Sequence, residues 1–312
     1  MSKWIKSMGV LVLLVVLMAA CSTDEPGSTK EKEKAEGSDG DVKIGFSIST
    51  LNNPFFVSLR DGAEEASEEA GYNIVVVDAQ DDPSKQINDI EDLLQQDIDV
   101  LLVNPADTSA VVAAIESANK AGIPVITVDR TADGGEVVAH IASDNILGGE
   151  MAGQFIVDSL SDGGNIVELE GIPGVLATRE RGEGFHNIVD AVDNITVAAN
   201  QTADFDRTKG LTVMENIIQG TKDIVAVFAH NDEMALGALE ALEAHDMLDD
   251  VIVVGFDAND DARDAVKDGR MAATVAQQPD LISKYAIETA AKVIKGEEVE
   301  EFIPVELQLV TE

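Results

Sequence analysis

The apolar runs of this sequence end in a mixed set of polar and aromatic side chains. VKIGFSIST runs into Asn52, Asn53, Phe55 and Phe56, and DVLLV ends in Asn104. PVITV ends in Asp129 and Arg130, VIVVG in Phe256 and Asp257, and AATVA in Gln277. Asn231 and Asp232 follow IVAVFA, Arg181 lies in TRERGEGF beyond NIVELEG, and Phe205 follows ITVAAN. Asn and Gln both donate and accept hydrogen bonds, Asp accepts, and Arg donates through a rigid fork. Phe offers a flat apolar face. A sugar needs that mixture, because its hydroxyls donate and accept at once and its C–H patches lie against rings. The charged members, Asp129 and Asp257 against Arg130 and Arg181, sum to zero, which favours a neutral polyhydroxyl ligand.

Each of these residues also has a plainer reading. Asp and Asn at strand ends are ordinary helix caps and turn formers, and Asp232 is assigned to capping. Paired aromatics such as Phe55 and Phe56 suit a core. An Arg directly after a buried strand, as at Arg130, needs a polar partner. Polar ends on at least five strands together favour a site.

Motifs for other chemistry are missing. There is no GxxxxGK[ST] phosphate loop, no GxGxxG fingerprint and no GxSxG elbow. The single Cys is Cys21, so the body has no thiol nucleophile. His140, His186, His230 and His245 show no paired ligand spacing, and no metal or cofactor is expected. DANDDARD (257–264) alternates oxygen ligands as a calcium loop does, but lacks Gly at its sixth position and Glu at its twelfth. It reads as a helix-capping loop. The chain is read as a binder, not an enzyme.

The elements that must position these residues alternate. Short Val/Ile-rich runs are followed by amphipathic stretches such as SKQINDIEDLLQQ and DEMALGALEALEAH. Near-continuous apolar runs are the mark of parallel strands buried on both faces. The pattern predicts an α/β protein of about ten strands, too many for one ordinary sheet, hence two sheets and two lobes. In such sheets ligands bind beyond the carboxyl ends of strands. ASDNILGGEMAG (142–153) and AHNDEMALGALEA (229–241) look alike, which hints at two similar lobes.

The N-terminus is an address. Lys3 and Lys6 precede an apolar run too short to span a bilayer comfortably, which reads as an export signal over 1–20. Cys21 directly follows Ala19-Ala20, as in the lipobox of bacterial lipoproteins, although Met18 stands where Leu is commoner there. Lipidation at Cys21 is expected. Residues 22–40 contain no Val, Leu, Ile or aromatic, so 21–40 reads as a lipidated Cys with a flexible acidic tether.

STLNNPFF, LLVNPAD, IPVITVDR, HIASDN, RERGEGF, ADFDRTKG, NDEMALGAL, VVGFD and AATVAQQPD together resemble the D-ribose-binding proteins of bacterial ABC transporters, within the periplasmic sugar-binding protein family of type I fold. The resemblance spans nearly all of 42–312. It implies two Rossmann-like lobes with parallel sheets, joined by a three-segment hinge. The first lobe would be 41–143 plus 276–304, the second 144–275 plus 305–312. It implies a ligand set of Asn53, Phe55, Phe56, Asn104, Asp129 and Arg130 from the first lobe. Arg181, Phe205, Asn231, Phe256 and Asp257 would come from the second, with Gln277 at the hinge. Phe56 and Phe205 would sandwich the ring. It further implies a monomer that passes D-ribose to ABC permease subunits, and in some relatives is read by a chemoreceptor. Alternatives are a receptor for allose or a furanose-like signalling molecule on the same fold. A sugar-responsive repressor would need a basic N-terminal helix-turn-helix where the export signal stands. A glycosidase using paired carboxylates would release product from glycosides.

Charge excludes other partners. The 312 residues carry 59 Asp+Glu against 21 Lys+Arg, a formal net charge of -38. Nucleic acid and anionic membrane surfaces repel such a body, so contact with the membrane is expected only through the lipid. The first forty residues hold five Lys and six acids, which leaves 16 basic and 53 acidic residues on the rest. The acidity therefore belongs to the folded body, and its self-repulsion is screened by salt, with a Debye length of about 3 Å at 1 M. If it is an adaptation to saline surroundings, the melting temperature of the chain rises between dilute and molar salt. A flat melting temperature across that series identifies compositional drift instead.

Overall fold

The computed structural model describes residues 42–311. The expected export signal, Cys21 and the tether lie outside the described residues. Twelve strands form two six-stranded sheets. The first holds β1 (Lys43–Ile48), β2 (Asn73–Asp78), β3 (Val100–Val103), β4 (Val125–Val128), β5 (Ala139–Ser143) and β11 (Phe302–Val305), in the order β11-β5-β4-β3-β1-β2. The second holds β6 (Gly164–Glu170), β7 (Ile195–Thr202), β8 (Ile224–Ala229), β9 (Ile252–Asp257), β10 (Ala273–Ala276) and β12 (Gln308–Val310), in the order β12-β10-β9-β8-β6-β7. The ladders are parallel apart from the antiparallel pair β10–β12. Helices cover both faces of each sheet, so that each lobe has two apolar cores. β3, β4 and β10 are buried along their whole length, which explains their unbroken apolar sequences.

The chain passes between the sheets three times. After β5 it enters α4 (Asn145–Ser159), which packs on α5 (Leu176–Val189) in the second lobe. After β10 it enters α9 (Pro279–Ile294), which returns to the first lobe and packs on α1 (Pro54–Ala70). Between β11 and β12 it crosses a last time. Ala276, counted with the first lobe from the sequence, closes a strand of the second sheet; Val305, counted with the second, closes a strand of the first. Element ends blur by a residue or two. β11 and β12 were not among the expected strands. FIPV and QLV are short edge segments, and edges carry little of the apolar signal that marks a buried strand.

The remaining helices are α2 (Pro83–Leu94), α3 (Val112–Lys120), α6 (Arg207–Gly220), α7 (Asp232–Ala244) and α8 (Asp260–Lys267). Most helices near the cleft begin at a capping side chain that ends a β–α turn. Asn53 Oδ1 accepts from Phe55 N, Asp144 Oδ1 from Leu147 N, and Asn231 Oδ1 from Met234 N. Pro54 sits at the first position of α1, where its missing N–H costs nothing. The two sheets share one strand order, so the lobes are alike. The segments matched in the sequence are not equivalent, however: one runs β5–α4 and the other β8–α7, which hold different places in their sheets. Their likeness reflects a shared capped turn.

Two glycines set the approach of α4 to α5. A Cβ on Gly149 would run into Arg181 O, and one on Gly184 into Ile146 O. This backbone-to-backbone contact holds the turn of α5 that carries Arg181. No helix among the described residues is long and apolar enough to cross a membrane.

Candidate functional site

The carboxyl ends of both sheets face one cavity. Asn53, Phe55, Phe56, Asp129 and Arg130 line it from the first lobe. Ala177, Arg181, Phe205, Asn231 and Asp257 line it from the second, with Gln277 at the crossing. Ten of the twelve residues that the resemblance implied meet here.

Asn104 and Phe256 do not line the cavity; they hold the residues that do. Asn104 Nδ2 donates to Asp129 Oδ2 (3.2 Å) and to Val128 O (3.1 Å), while its Oδ1 accepts from Ser49 Oγ (2.6 Å) and Ser49 N (3.2 Å). Phe256 lies under the Arg181 guanidinium, 3.8 Å from its carbon to the ring centroid. That stacking is a cation–π contact in a desolvated setting.

Each lobe contributes one acid and one base. Arg130 Nε is 3.8 Å from Asp129 Oδ2, and Arg181 Nη1 is 3.8 Å from Asp257 Oδ1. At these distances the partners attract without direct hydrogen bonds, which leaves donors and acceptors available to a ligand. Arg130 is anchored by one bond, Nη1 to Pro105 O (3.2 Å), and lies over Phe56 (4.8 Å) and Phe205 (5.6 Å). Arg181 is anchored by two, Nε to Asn145 Oδ1 (2.9 Å) and Nη1 to His230 O (2.6 Å). Asp257 Oδ1 accepts from Gln277 Nε2 (2.9 Å). Phe205 lies against the backbone of Gly171, where a Cβ would collide with its ring.

The loops that present these groups are strained. Asp129 (φ 61°), Phe205 (φ 60°) and Asp257 (φ 112°) all have positive φ. For non-glycine residues this costs on the order of 1–3 kcal/mol each and persists only where surrounding structure over-determines it. The two aspartates hold corresponding places, just after β4 and at the end of β9, so both lobes turn the same carboxylate into the cleft in the same way.

Burial dominates the electrostatics. It raises the Asp129 carboxyl above its ordinary range against the pull of Arg130, Arg181 and Asn104. It pushes Asp257 up to about 7, opposed by Arg181 and by the Gln277 hydrogen bond and helped by Asp129. It also lowers both guanidinium groups.

Asp232 is not the cap that the sequence suggested. Asn231 caps α7, and its Nδ2 donates to Phe205 O (3.2 Å). Asp232 is fully buried and accepts from Thr274 Oγ1 (2.7 Å) and Asn259 N (2.7 Å). It pins the loop that follows Asp257, and burial together with the Asp257 charge raises its pKa well above the usual carboxylate value. In DANDDARD, Asn259 holds the cap position of α8 but makes no side-chain capping bond. No cluster of three or more metal-ligating side chains occurs among the described residues. Two residues escaped the sequence reading. Asn145, which fixes Arg181, was visible only as part of a capped turn, and Ala177 carries no chemical signal.

A model of the periplasmic binding protein domain matches residues 44–298. The chain belongs to the periplasmic binding protein family. Among curated members, it is 52% identical over 303 residues to the ribose import binding protein of Bacillus subtilis, with 97% of each chain covered. It is 35% identical to the D-apiose import binding protein of Paraburkholderia graminis, with 78% of each covered. Among solved members of this binding protein family, a Bacillus halodurans solute-binding protein with bound myo-inositol superposes with TM-score 0.84 at 36% identity, over 88% of this chain and 96% of that one. A relative from Actinobacillus succinogenes with bound D-allose gives TM-score 0.83 at 30% identity, over 86% and 97%.

The Asp257 shift has a signed consequence for stability. Below pH 3.8 its carboxyl is protonated in both folded and unfolded chains; between there and about 7 only the folded chain keeps the proton. The stabilising contribution of that retained proton is therefore lost as pH rises through this window. Asp257→Asn is expected to raise the ligand-free melting temperature relative to the parent by a margin that grows from pH 4 to pH 8. A margin independent of pH would show that the carboxyl is not perturbed.

Proposed function

We propose that this chain is the extracytoplasmic receptor of an ABC importer, which captures D-ribose between its lobes and delivers it to permease subunits. The observation that carries this reading is the cavity lined from both lobes by two Asp, two Arg, amides and Phe rings. The set is balanced in charge and rich in groups that donate and accept, as a pentose requires. The 52% identity to a ribose import binding protein over 97% of both chains supports ribose in particular. The bound D-allose and myo-inositol of more distant relatives are likewise small polyols.

Binding works through closure. Phe56 and Phe205 would flank the ring, while Asp129, Arg130, Arg181 and Asp257 hold hydroxyls through charge-assisted bonds. A ligand that touches both lobes stabilises only the conformation in which they meet, so occupancy becomes a shape that a permease can read. Anchoring through lipid on Cys21 completes the reading, and it rests on the lipobox-like sequence alone.

Titration calorimetry of the full chain with ribose, allose, myo-inositol and arabinose tests the ligand. Ribose is expected to bind tightest, and Arg130→Ala to weaken it by roughly 10- to 150-fold, the loss of one charge-assisted hydrogen bond of about 1.5–3 kcal/mol. No heat with ribose rejects the ribose assignment. For the anchor, cells fed labelled palmitate are expected to label the wild-type chain and not Cys21→Ser; equal labelling of both rejects Cys21 as the site.

A further inference from the structure

Away from the hinge, the direct hydrogen bonds that cross between lobes among the described residues are both made by Thr108. Its backbone N donates to Gly174 O (3.2 Å), and its Oγ1 accepts from Leu176 N (3.2 Å). Thr108 belongs to the turn between β3 and α3 of the first lobe; Gly174 belongs to the turn between β6 and α5 of the second, and Leu176 opens α5. Thr108 is 1% exposed and does not line the cavity.

The turn that offers Thr108 is braced within its own lobe. Thr108 O accepts from Asp133 N (3.0 Å). Asp107 Oδ1 accepts from Ser109 N (3.0 Å) and Ala110 N (2.7 Å), and Ser109 Oγ donates to Asp133 Oδ2. The facing turn is shaped to fit, since a Cβ on Gly174 would run into the Asp107 carboxylate that this bracing holds in place. Leu176 N is the first amide of α5, which has no side-chain cap at Val175. Thr108 Oγ1 thus takes the place of a cap, supplied from the other lobe, on the helix that carries Arg181.

We propose that Thr108 is a latch that stabilises the closed lobes without touching the ligand, and so sets affinity and residence time alike for every sugar the cleft accepts. The inference rests on the reading above that the chain binds a small sugar by closure. Apparent affinity scales with the population of the binding-competent state, so a bond made only on closure multiplies the affinity of each ligand by one common factor. A side chain that touched the sugar would instead change the ratios between ligands.

The test compares wild type, Thr108→Val and Thr108→Ser as full chains. Valine keeps the shape and the backbone bond but loses the acceptor, and serine restores it. With the sugar panel, Thr108→Val is expected to raise every Kd by the same roughly five- to 150-fold factor, the worth of one hydrogen bond with its donor left unpaired. Thr108→Ser recovers most of that loss. The ligand-free melting temperature stays that of the wild type, and hydrogen exchange at the Leu176 amide of the sugar-bound form accelerates only in the valine variant. An unchanged Kd, a factor that differs between sugars, or an equal loss of stability in the ligand-free protein overturns the latch. Absence of heat from wild type with every sugar overturns the underlying reading, and the latch with it.

Discussion

Two carboxylates and two guanidinium groups lie buried around one small cavity, and the surrounding structure serves to keep them there. An ion removed from water costs several kcal/mol unless it is paired and hydrogen-bonded. Here the pairing is local to each lobe: Asp129 with Arg130, and Asp257 with Arg181. Each cleft surface is therefore balanced by itself, and closing the lobes brings no net like charge together there. The hydrogen bonds come mostly from groups behind the cavity lining, with Gln277 the one that also lines it. Asn104 holds Asp129, Gln277 holds Asp257, and the Pro105 and His230 carbonyls with Asn145 hold the arginines.

That arrangement explains several features that would look wasteful alone. Positive φ at Asp129 and Asp257 is unfavourable, yet it turns both carboxylates toward the cavity from the ends of corresponding strands. Asp232 is a fully buried acid, yet it fixes the loop beyond Asp257 through Asn259 N and Thr274. Gly149 and Gly184 allow α4 and α5 to touch along their backbones, which brings Asn145 within reach of Arg181. The large negative charge of the chain has no counterpart in this pocket. The excess acid belongs to the rest of the body, where solvent and salt screen it.

Closure ties these parts together. The cavity is lined from the carboxyl ends of both sheets, which the crossings after β5, β10 and β11 join. The Thr108 turn meets the cap-less start of α5, so the helix carrying Arg181 is completed by the opposite lobe.

The sequence by itself determined the element types and most of the site. Unbroken Val/Ile-rich runs between helical stretches mark parallel strands, and a polar residue at the end of such a run lies at the carboxyl edge of the sheet, where open α/β folds bind. Ten of the twelve residues that the family resemblance implied line the cavity. Local pattern could not decide which strand ends meet, because Thr108 and Leu176 lie 68 positions apart and Arg181 and His230 lie 49 apart. Only the tertiary structure separated lining from bracing residues. Asn104 and Phe256 stand at strand ends like their neighbours but are taken up by Asp129 and Arg181. It also moved the cap of α7 from Asp232 to Asn231, which lines the cavity as well, because Asp232 is taken up by Thr274 of the neighbouring strand and Asn259 N. Asn145 and Ala177 entered the site through helix packing alone, and nothing in their own local sequence marks them.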